Sequence, residues 1–192
     1  MIPPNIDWPR RTARLTLRPV RPDDLDQLFR INTDPDVTRW LITIASDFDE
    51  FRAAKLASRN DPDDFSTVIE VDGVVIGEAF LEYTEAGVQR VAGAPDRQHS
   101  EAMIGYLLDP AHAGRGYATE VAAELLRLAF TELGVRRVTA GCFADNAASI
   151  RVLEKNGLRR EQYGVADSWH AELGWIDGCT YAILADEWRA RV

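Results

Sequence analysis

The sequence predicts a single mixed α/β domain, and three observations carry that prediction. β-rich runs and amphipathic helical stretches follow one another in the order β-α-α-β-β-β-α-β-α-β-β, the pattern of a mixed sheet flanked by helices. The chain has 192 residues, 46% hydrophobic and 28% charged, enough apolar material for one sizeable core. No internal repeat, low-complexity tract or long linker divides it, so residues 1–192 read as one domain.

Each element has a local reason. Arg14-Leu15-Thr16-Leu17-Arg18-Pro19-Val20 alternates polar and apolar and reads as a half-buried strand. Residues 23–32 form a helix with Leu25, Leu28, Phe29 and Ile31 on its apolar side. A second helix starts at Asp47, which has capping-box spacing to Glu50, and runs to about Asn60, where Asp61-Pro62-Asp63-Asp64 stops it. The runs 65–71 and 74–83 flank Asp72-Gly73, the strongest short-range hairpin signal. Residues 85–100 read as a long loop, a strand follows over 101–108, and Asp109-Pro110 ends it. An amphipathic helix covers 115–133, with Gly134 as its left-handed cap. A strand over 137–143 and a helix over 146–156, capped by Gly157, come next. Strands over 158–165 and 178–184 complete the set.

Composition excludes several classes of function. The net charge of −9, from 31 acids against 22 bases, argues against a nucleic-acid partner. The acidity is concentrated: residues 61–110 hold 11 acids and 2 bases, either a solvated face or a surface that attracts a cationic ligand. No apolar run is long enough to span a bilayer, so no membrane partner is expected. Met1-Ile2-Pro3-Pro4-Asn5 lacks the basic start and apolar run of a secretory leader, from which a cytoplasmic location is expected. Two cysteines make no disulfide framework, and His99, His112 and His170 stand apart with no metal-ligand spacing, so no metal is expected.

Two motifs carry chemistry. Ala113-Gly114-Arg115-Gly116-Tyr117-Ala118-Thr119 lies between a strand and a long helix. Small residues there let a ligand approach the backbone, and the free N–H groups and dipole of a helix N-terminus suit a phosphate or pyrophosphate. Arg115 can add a charge-assisted hydrogen bond. The same Gly-x-Gly would also serve as a purely structural tight turn, and the third glycine of a dinucleotide fingerprint is missing. The second motif is Asp145-Asn146-Ala147-Ala148-Ser149, leading through Leu153 to Asn156-Gly157-Leu158. Asn146 is placed as a helix cap, and Ser149 as a first-turn residue able to bond its own backbone.

With the opening strand Arg14–Arg18, Ile104-Gly105-Tyr106 and the tail from Trp175-Ile176-Asp177-Gly178 to Glu187-Trp188, these motifs resemble the GCN5-related N-acetyltransferase (GNAT) superfamily, in particular its RimJ/RimL-type branch. The resemblance covers nearly the whole chain and rests on joint order and spacing. It implies a central, mostly antiparallel sheet splayed between two middle strands, flanked by about four helices. It implies acetyl-CoA as acyl donor and direct attack by an amine in a ternary complex. Carried over residue by residue, Gly114, Arg115, Gly116, Tyr117, Ala118 and Thr119 would hold the pyrophosphate. Tyr106, Leu107 and Leu108 would pair with the pantetheine arm, and an N–H near Leu107 or Leu108 would face the thioester oxygen. Asn146 would contact the cofactor, and Ser149 would lie near its sulfur.

The chain departs from the family in two places. Ala113 stands where the loop often begins with Gln or Arg, and Leu153 where many members carry a tyrosine that protonates the leaving thiolate. Ser149 is the first replacement, followed by Tyr106 and Tyr163. A carboxylate must take the amine proton, and Glu101 is the first candidate, followed by Glu78 and Glu82. Cys142 and Cys179 read as small buried hydrophobes, which disfavours a cysteine acyl-enzyme. Trp169, His170, Trp175 and Trp188 either line the acceptor cleft or pack the C-terminal hairpin. The acceptor is a primary amine of a peptide or protein N-terminus or of a small molecule. An aminoglycoside or polyamine is the alternative that the acidic block favours, and a non-catalytic acyl-CoA-binding sensor is another. A monomer or homodimer is expected.

Overall fold

The structure, a computed structural model, describes residues 6–87 and 99–191. Eight strands form one sheet: β1 (Arg10–Arg11), β2 (Thr16–Arg18), β3 (Thr67–Val71), β4 (Val74–Thr84), β5 (Glu101–Leu108), β6 (Arg137–Phe143), β7 (Arg159–His170) and β8 (Gly174–Leu184). Their spatial order is β1-β2-β3-β4-β5-β6-β8-β7, antiparallel throughout except for β5 and β6. The helices are α1 (Leu25–Asn32), α2 (Pro35–Thr38), α3 (Phe48–Ser58), α4 (Tyr117–Thr131), α5 (Ala147–Lys155) and α6 (Ala185–Arg189).

The sheet buries both faces, in the way strand alternation dictates. Ala79, Leu81, Ala102 and Ile104 join Val121, Leu125, Leu126 and Leu128 of α4 in the main core. On the other face, Val68, next to the core residue Ile69, and Val75, next to the core residue Ile76 and beyond a register shift in the β3–β4 ladder, pack with Leu25 and Leu28 of α1 and Phe51 of α3. Leu107 packs there with Ile31 and Val37, bordered by Phe80 and Leu41. The Phe29 ring meets Phe48 at 5.3 Å and Phe51 at 5.5 Å, edge-on and tilted, which locks α1 to α3.

Asp72 (φ 50°) and Gly73 (φ 80°) both adopt the left-handed region in the β3–β4 turn, as a two-residue hairpin loop requires. Asp47 caps α3 by accepting from the Glu50 amide at 2.9 Å. Several elements differ from the sequence reading. The opening strand is only Thr16–Arg18, and α1 is preceded by a short 3₁₀ turn over Pro22–Asp24. Helix α4 starts at Tyr117, because Gly114 and Gly116 take positive φ. Two short helices, α2 and α6, bring the number to six. Strands β7 and β8 extend to His170 and back from Gly174, an arm whose mixed surface residues conceal any alternation. Most of the expected 85–100 loop lies outside the described residues.

Arg18 breaks the polar-out alternation of β2, being only 7% exposed. Its guanidinium donates to both oxygens of Asp24, at 2.7 and 2.8 Å, and to Glu70 at 2.8 Å, so it pins α1 to the sheet. Burial alone would raise the Asp24 carboxyl, but hydrogen bonds from Arg18 and the Arg21 amide, with their charge, hold it below its ordinary value. Arg18→Met should therefore cost about 3–5 kcal/mol in urea unfolding at neutral pH, because it strands two buried carboxylates. Asp24's contribution is complete above its unfolded value and is lost as pH falls through the depressed folded value. The gap between the two proteins should accordingly narrow in acid; a gap independent of pH would contradict this account.

Candidate active site

The site begins where two parallel strands part. β5 and β6 pair at Glu101↔Arg137, Ala102↔Val138 and Met103↔Thr139, and no further. β4 stays paired with β5 through Gly77↔Leu108. The remainder of β5 therefore has a ladder on one side and an open slot on the other. Alternation decides which groups face the slot. The Asp109 amide donates to Ile76 carbonyl at 2.7 Å, so Leu107 pairs with β4 and the backbone groups of Tyr106 and Leu108 face outward. The Arg136 amide donates to Ser100 carbonyl at 2.8 Å, which fixes the same parity at the other end of the strand. Leu107 is thereby corrected: its backbone belongs to the ladder and its side chain to the core beneath α1 and α2.

Gly77 makes this register possible. A Cβ there would lie 2.1 Å from the Leu107 carbonyl oxygen, so only glycine lets the end of β5 approach so closely. Nothing in the sequence marks it except a glycine inside a strand.

Beyond β5 the chain turns at Pro110–His112 and reaches Gly114 (φ 73°) and Gly116 (φ 79°). A Cβ on Gly114 would meet nothing within 4 Å, and one on Gly116 only the Arg14 side chain at 3.5 Å. The loop thus presents open backbone in front of the first turn of α4, where Tyr117, Ala118 and Thr119 have no intrahelical acceptor for their amides. Arg14 braces it, donating to Arg115 carbonyl at 2.8 Å and to Glu120 at 2.7 Å, with its guanidinium over the Tyr117 ring. The sequence reading placed Arg14 only in a strand and missed this contact. The Arg115 guanidinium is exposed and donates to Ala111 carbonyl at 3.3 Å. His112 Nδ1 is buried beside the loop without a partner among the described residues. Open amides, two arginines and an orphaned ring nitrogen fit a polyanionic pyrophosphate.

On the face of the sheet that carries α4 and α5, Asn146 caps α5, accepting from the Ser149 amide at 3.0 Å. This leaves its side-chain N–H groups available. The Ser149 hydroxyl lies 3.2 Å from the Tyr106 hydroxyl. Burial pushes the Tyr106 phenol up to about 12 and the Cys142 thiol up to about 11. Cys142 is therefore a thiol and a poor nucleophile at neutral pH. Tyr163 is tied to Asp177 at 2.5 Å on the exposed arm.

The three carboxylate candidates separate sharply. Glu101 sits in the first β5–β6 pair, at the closed end of the slot and about 20 Å of strand from Leu108. Arg136 and Arg137 hold its two oxygens, so the structure does not bring it to the slot as a base. Glu78 is 2% exposed and bound by Lys55 at 2.6 Å and Asn32 at 2.9 Å. Glu82 has no basic partner among the described residues. It lies beside Met103, level with the point of parting, and faces a cavity of about 610 Å³. Phe80, Lys55, Arg59 and Asp64 also line this cavity. Burial, with the charge of Asp64 and Asp61, holds the Glu82 carboxyl above its ordinary value. Next to Phe80 in register is Gly105, where a Cβ would sit 3.4 Å from that ring, an ordinary contact.

The β7–β8 arm extends the sheet beyond β6. His170 is 7% exposed and stacks edge-on against Phe143. Its Nδ1 accepts from the Glu172 and Leu173 amides at 3.1 and 3.3 Å, so the proton sits on Nε2 and is donated to Arg39 carbonyl at 3.0 Å. That bond ties the arm to the end of α2. Trp169 and Trp175 pair with one another and are each 63% exposed, whereas Trp188 packs on Phe130.

Comparison with known proteins agrees with this geometry. Residues 14–159 match the family described as acetyltransferase (GNAT) domain. An uncharacterized N-acetyltransferase, p20 of Bacillus licheniformis, is 30% identical over 184 residues, covering 92% of this chain and 96% of its own. Among solved structures, spermidine N-acetyltransferase from Vibrio cholerae, in complex with CoA and spermine, superposes with a TM-score of 0.79 at 19% identity. It covers 93% of this chain and 99% of its own. RimJ of Mycobacterium smegmatis, in complex with CoA-disulfide, superposes with a TM-score of 0.76 at 24% identity, covering 94% and 90%. The parted strands, the glycine loop before α4 and these matches together place the chain in the GNAT acetyltransferase domain family, as an acetyl-CoA-dependent N-acetyltransferase.

Proposed function

We propose that the chain acetylates a cationic primary amine that enters from the face covered by α1 to α3, and that Glu82 takes the amine's proton. The observation that carries this reading is Glu82 itself: a carboxylate with no basic partner among the described residues, level with the parting of β5 and β6, in a cavity with Asp64. Acetyl-CoA supplies an acyl group activated as a thioester. The amides of Gly114 to Thr119, with Arg115, would hold its pyrophosphate on a loop that Arg14 braces, and the backbone of Tyr106 and Leu108 would align its pantetheine arm. Of the outward groups, the Leu108 or Tyr106 N–H would stabilise charge developing on the carbonyl oxygen. Asn146 would contact the arm through its free N–H groups, and Ser149 would serve the leaving sulfur.

An ammonium group cannot attack, so Glu82 must first accept a proton, directly or through one water. Its raised affinity for protons brings it closer to an amine's range and makes it a better base than an ordinary surface glutamate. With Glu78 paired to Lys55, the carboxylates of Glu82 and Asp64 face Arg59 alone in the cavity, a balance that favours a cationic acceptor, and the likeness to a protein crystallised with spermine also supports this reading. A peptide N-terminus is the second reading, supported by the likeness to RimJ.

Two predictions follow the two halves of the site. Gly116→Val forces a β-branched residue into a left-handed conformation costing about 1–2 kcal/mol and covers the amides. Calorimetric titration of the folded variant should show acetyl-CoA affinity reduced roughly tenfold or more; undiminished affinity would remove the loop as the pyrophosphate site. Glu82→Gln should lower kcat about 10²–10⁴-fold with a panel of polyamines, aminoglycosides and N-terminal peptides, read as released thiol. Wild-type activity should fall as pH drops through the elevated Glu82 value, where the base becomes protonated. Asp64→Asn should move that limb to lower pH, since it removes a charge that favours the protonated form. A limb unmoved by either substitution would exclude Glu82 as the base.

A further inference from the structure

Leu153 stands where many members of the family carry the tyrosine that serves the departing sulfur, and here it is a core residue, 1% exposed. A phenol nevertheless reaches Ser149 from another element. Tyr106, on the part of β5 that no longer pairs with β6, places its hydroxyl 3.2 Å from Ser149 Oγ and 3.4 Å from the Ser149 carbonyl oxygen. A carbonyl only accepts, so Tyr106 is the donor in that bond, whereas the contact between the two hydroxyls admits either as donor. The Ser149 amide is already satisfied by the Asn146 cap. Since the Tyr106 phenol stays neutral, it does not compete as an anion for the serine proton.

We infer that Tyr106 is a positioning residue: by donating to Ser149 Oγ it turns the serine's own O–H toward the sulfur that leaves the acetyl group. This rests on the reading of Ser149 as the group that serves the sulfur. The chemistry also specifies how Ser149 serves it. An alkyl hydroxyl is a far weaker acid than a thiol of about 8.5, so complete transfer of the serine proton would run uphill. Ser149 instead donates a hydrogen bond while the nitrogen–carbon bond forms and the carbon–sulfur bond breaks. The bonding pair stays on sulfur; of the two protons the ammonium loses, one goes to Glu82 before attack, and the second, released as the nitrogen–carbon bond forms, passes through water to the thiolate. The serine ends the cycle as it began, still a hydroxyl, with Tyr106 still donating to it.

The test uses Tyr106→Phe, which keeps the ring and removes only the donor, together with Ser149→Ala and the double variant. Tyr106→Phe should lower kcat about tenfold with little change in the KM for acetyl-CoA. The double variant should be no worse than Ser149→Ala alone, because the phenol acts through the serine. A binding readout needs no turnover. A site that donates to the sulfur anion should bind free CoA more tightly at about pH 9 than at about pH 7, relative to CoA lacking its thiol, and this preference should shrink in all three variants. If Ser149→Ala loses rate and thiol preference while Tyr106→Phe keeps both, the phenol merely packs and the inference is overturned. If Ser149→Ala itself keeps both, the reading of Ser149 fails and takes the inference with it. An acceptor panel that shows no transfer, with the thiol preference intact, would refute the acceptor reading alone.

Discussion

The organising constraint in this protein is a ladder that stops. Past Met103 and Thr139 two adjacent parallel strands no longer bond to each other, and the groups of Tyr106 and Leu108 that face the gap lack a strand partner. Unpaired backbone groups away from water are costly, so such a gap persists only if something else holds its walls. β4 holds one wall, paired with β5 through the Leu108 position, and β8 holds the other, paired with all of β6 from Arg137 to Phe143. The gap is thus framed by regular sheet on both sides. An extended polar arm can complete the ladder there, which is why the site uses backbone before it uses any side chain.

The helices then give the two faces of the gap different chemistry. One face carries α4 and α5, with their N-terminal turns, Ser149 and the neutral Tyr106 and Cys142. The other carries Glu78, Phe80 and Glu82 beneath α1 and α3. Long-range side-chain bonds keep these layers in place. Arg18 fastens α1 to β2 and β3, Arg14 fastens the glycine loop to the β1–β2 turn, and His170 fastens the arm to α2. The Arg14 and His170 bonds join segments 101 and 131 residues apart, and Arg18 ties Asp24, six residues on, to Glu70, 52 residues away.

This explains what the sequence shows and what it hides. Asp72-Gly73, the Asp47 cap and the glycines at 114, 116, 134 and 157 are local statements about φ or a first turn, and each is readable from a few neighbouring residues. The glycine loop and its helix were legible for the same reason. The base was not. Glu101, Glu78 and Glu82 are alike as strand glutamates, and only the tertiary partners distinguish them: two arginines on the first, Lys55 and Asn32 on the second, acids around the third. Gly77 was hidden too, because its constraint is the carbonyl of Leu107 some thirty residues away.

The uneven charge of the chain can now be placed on this frame. Asp61, Asp64, Glu78 and Glu82 belong to the acidic block, and Asp64, Glu78 and Glu82 line the cavity on the α3 side. The opposite approach, at the head of α4, carries Arg14, Arg115 and the positive end of a helix of 15 residues. A phosphate-bearing donor and an ammonium-bearing acceptor would each meet a favourable field on its own side and an unfavourable one on the other. Charge segregation of this kind does little for stability, since exposed charges are screened within about 8–10 Å at physiological salt. Its effect would be on encounter: on the proposed reading, it would sort two substrates of opposite sign to the two sides of one slot before either makes a close contact.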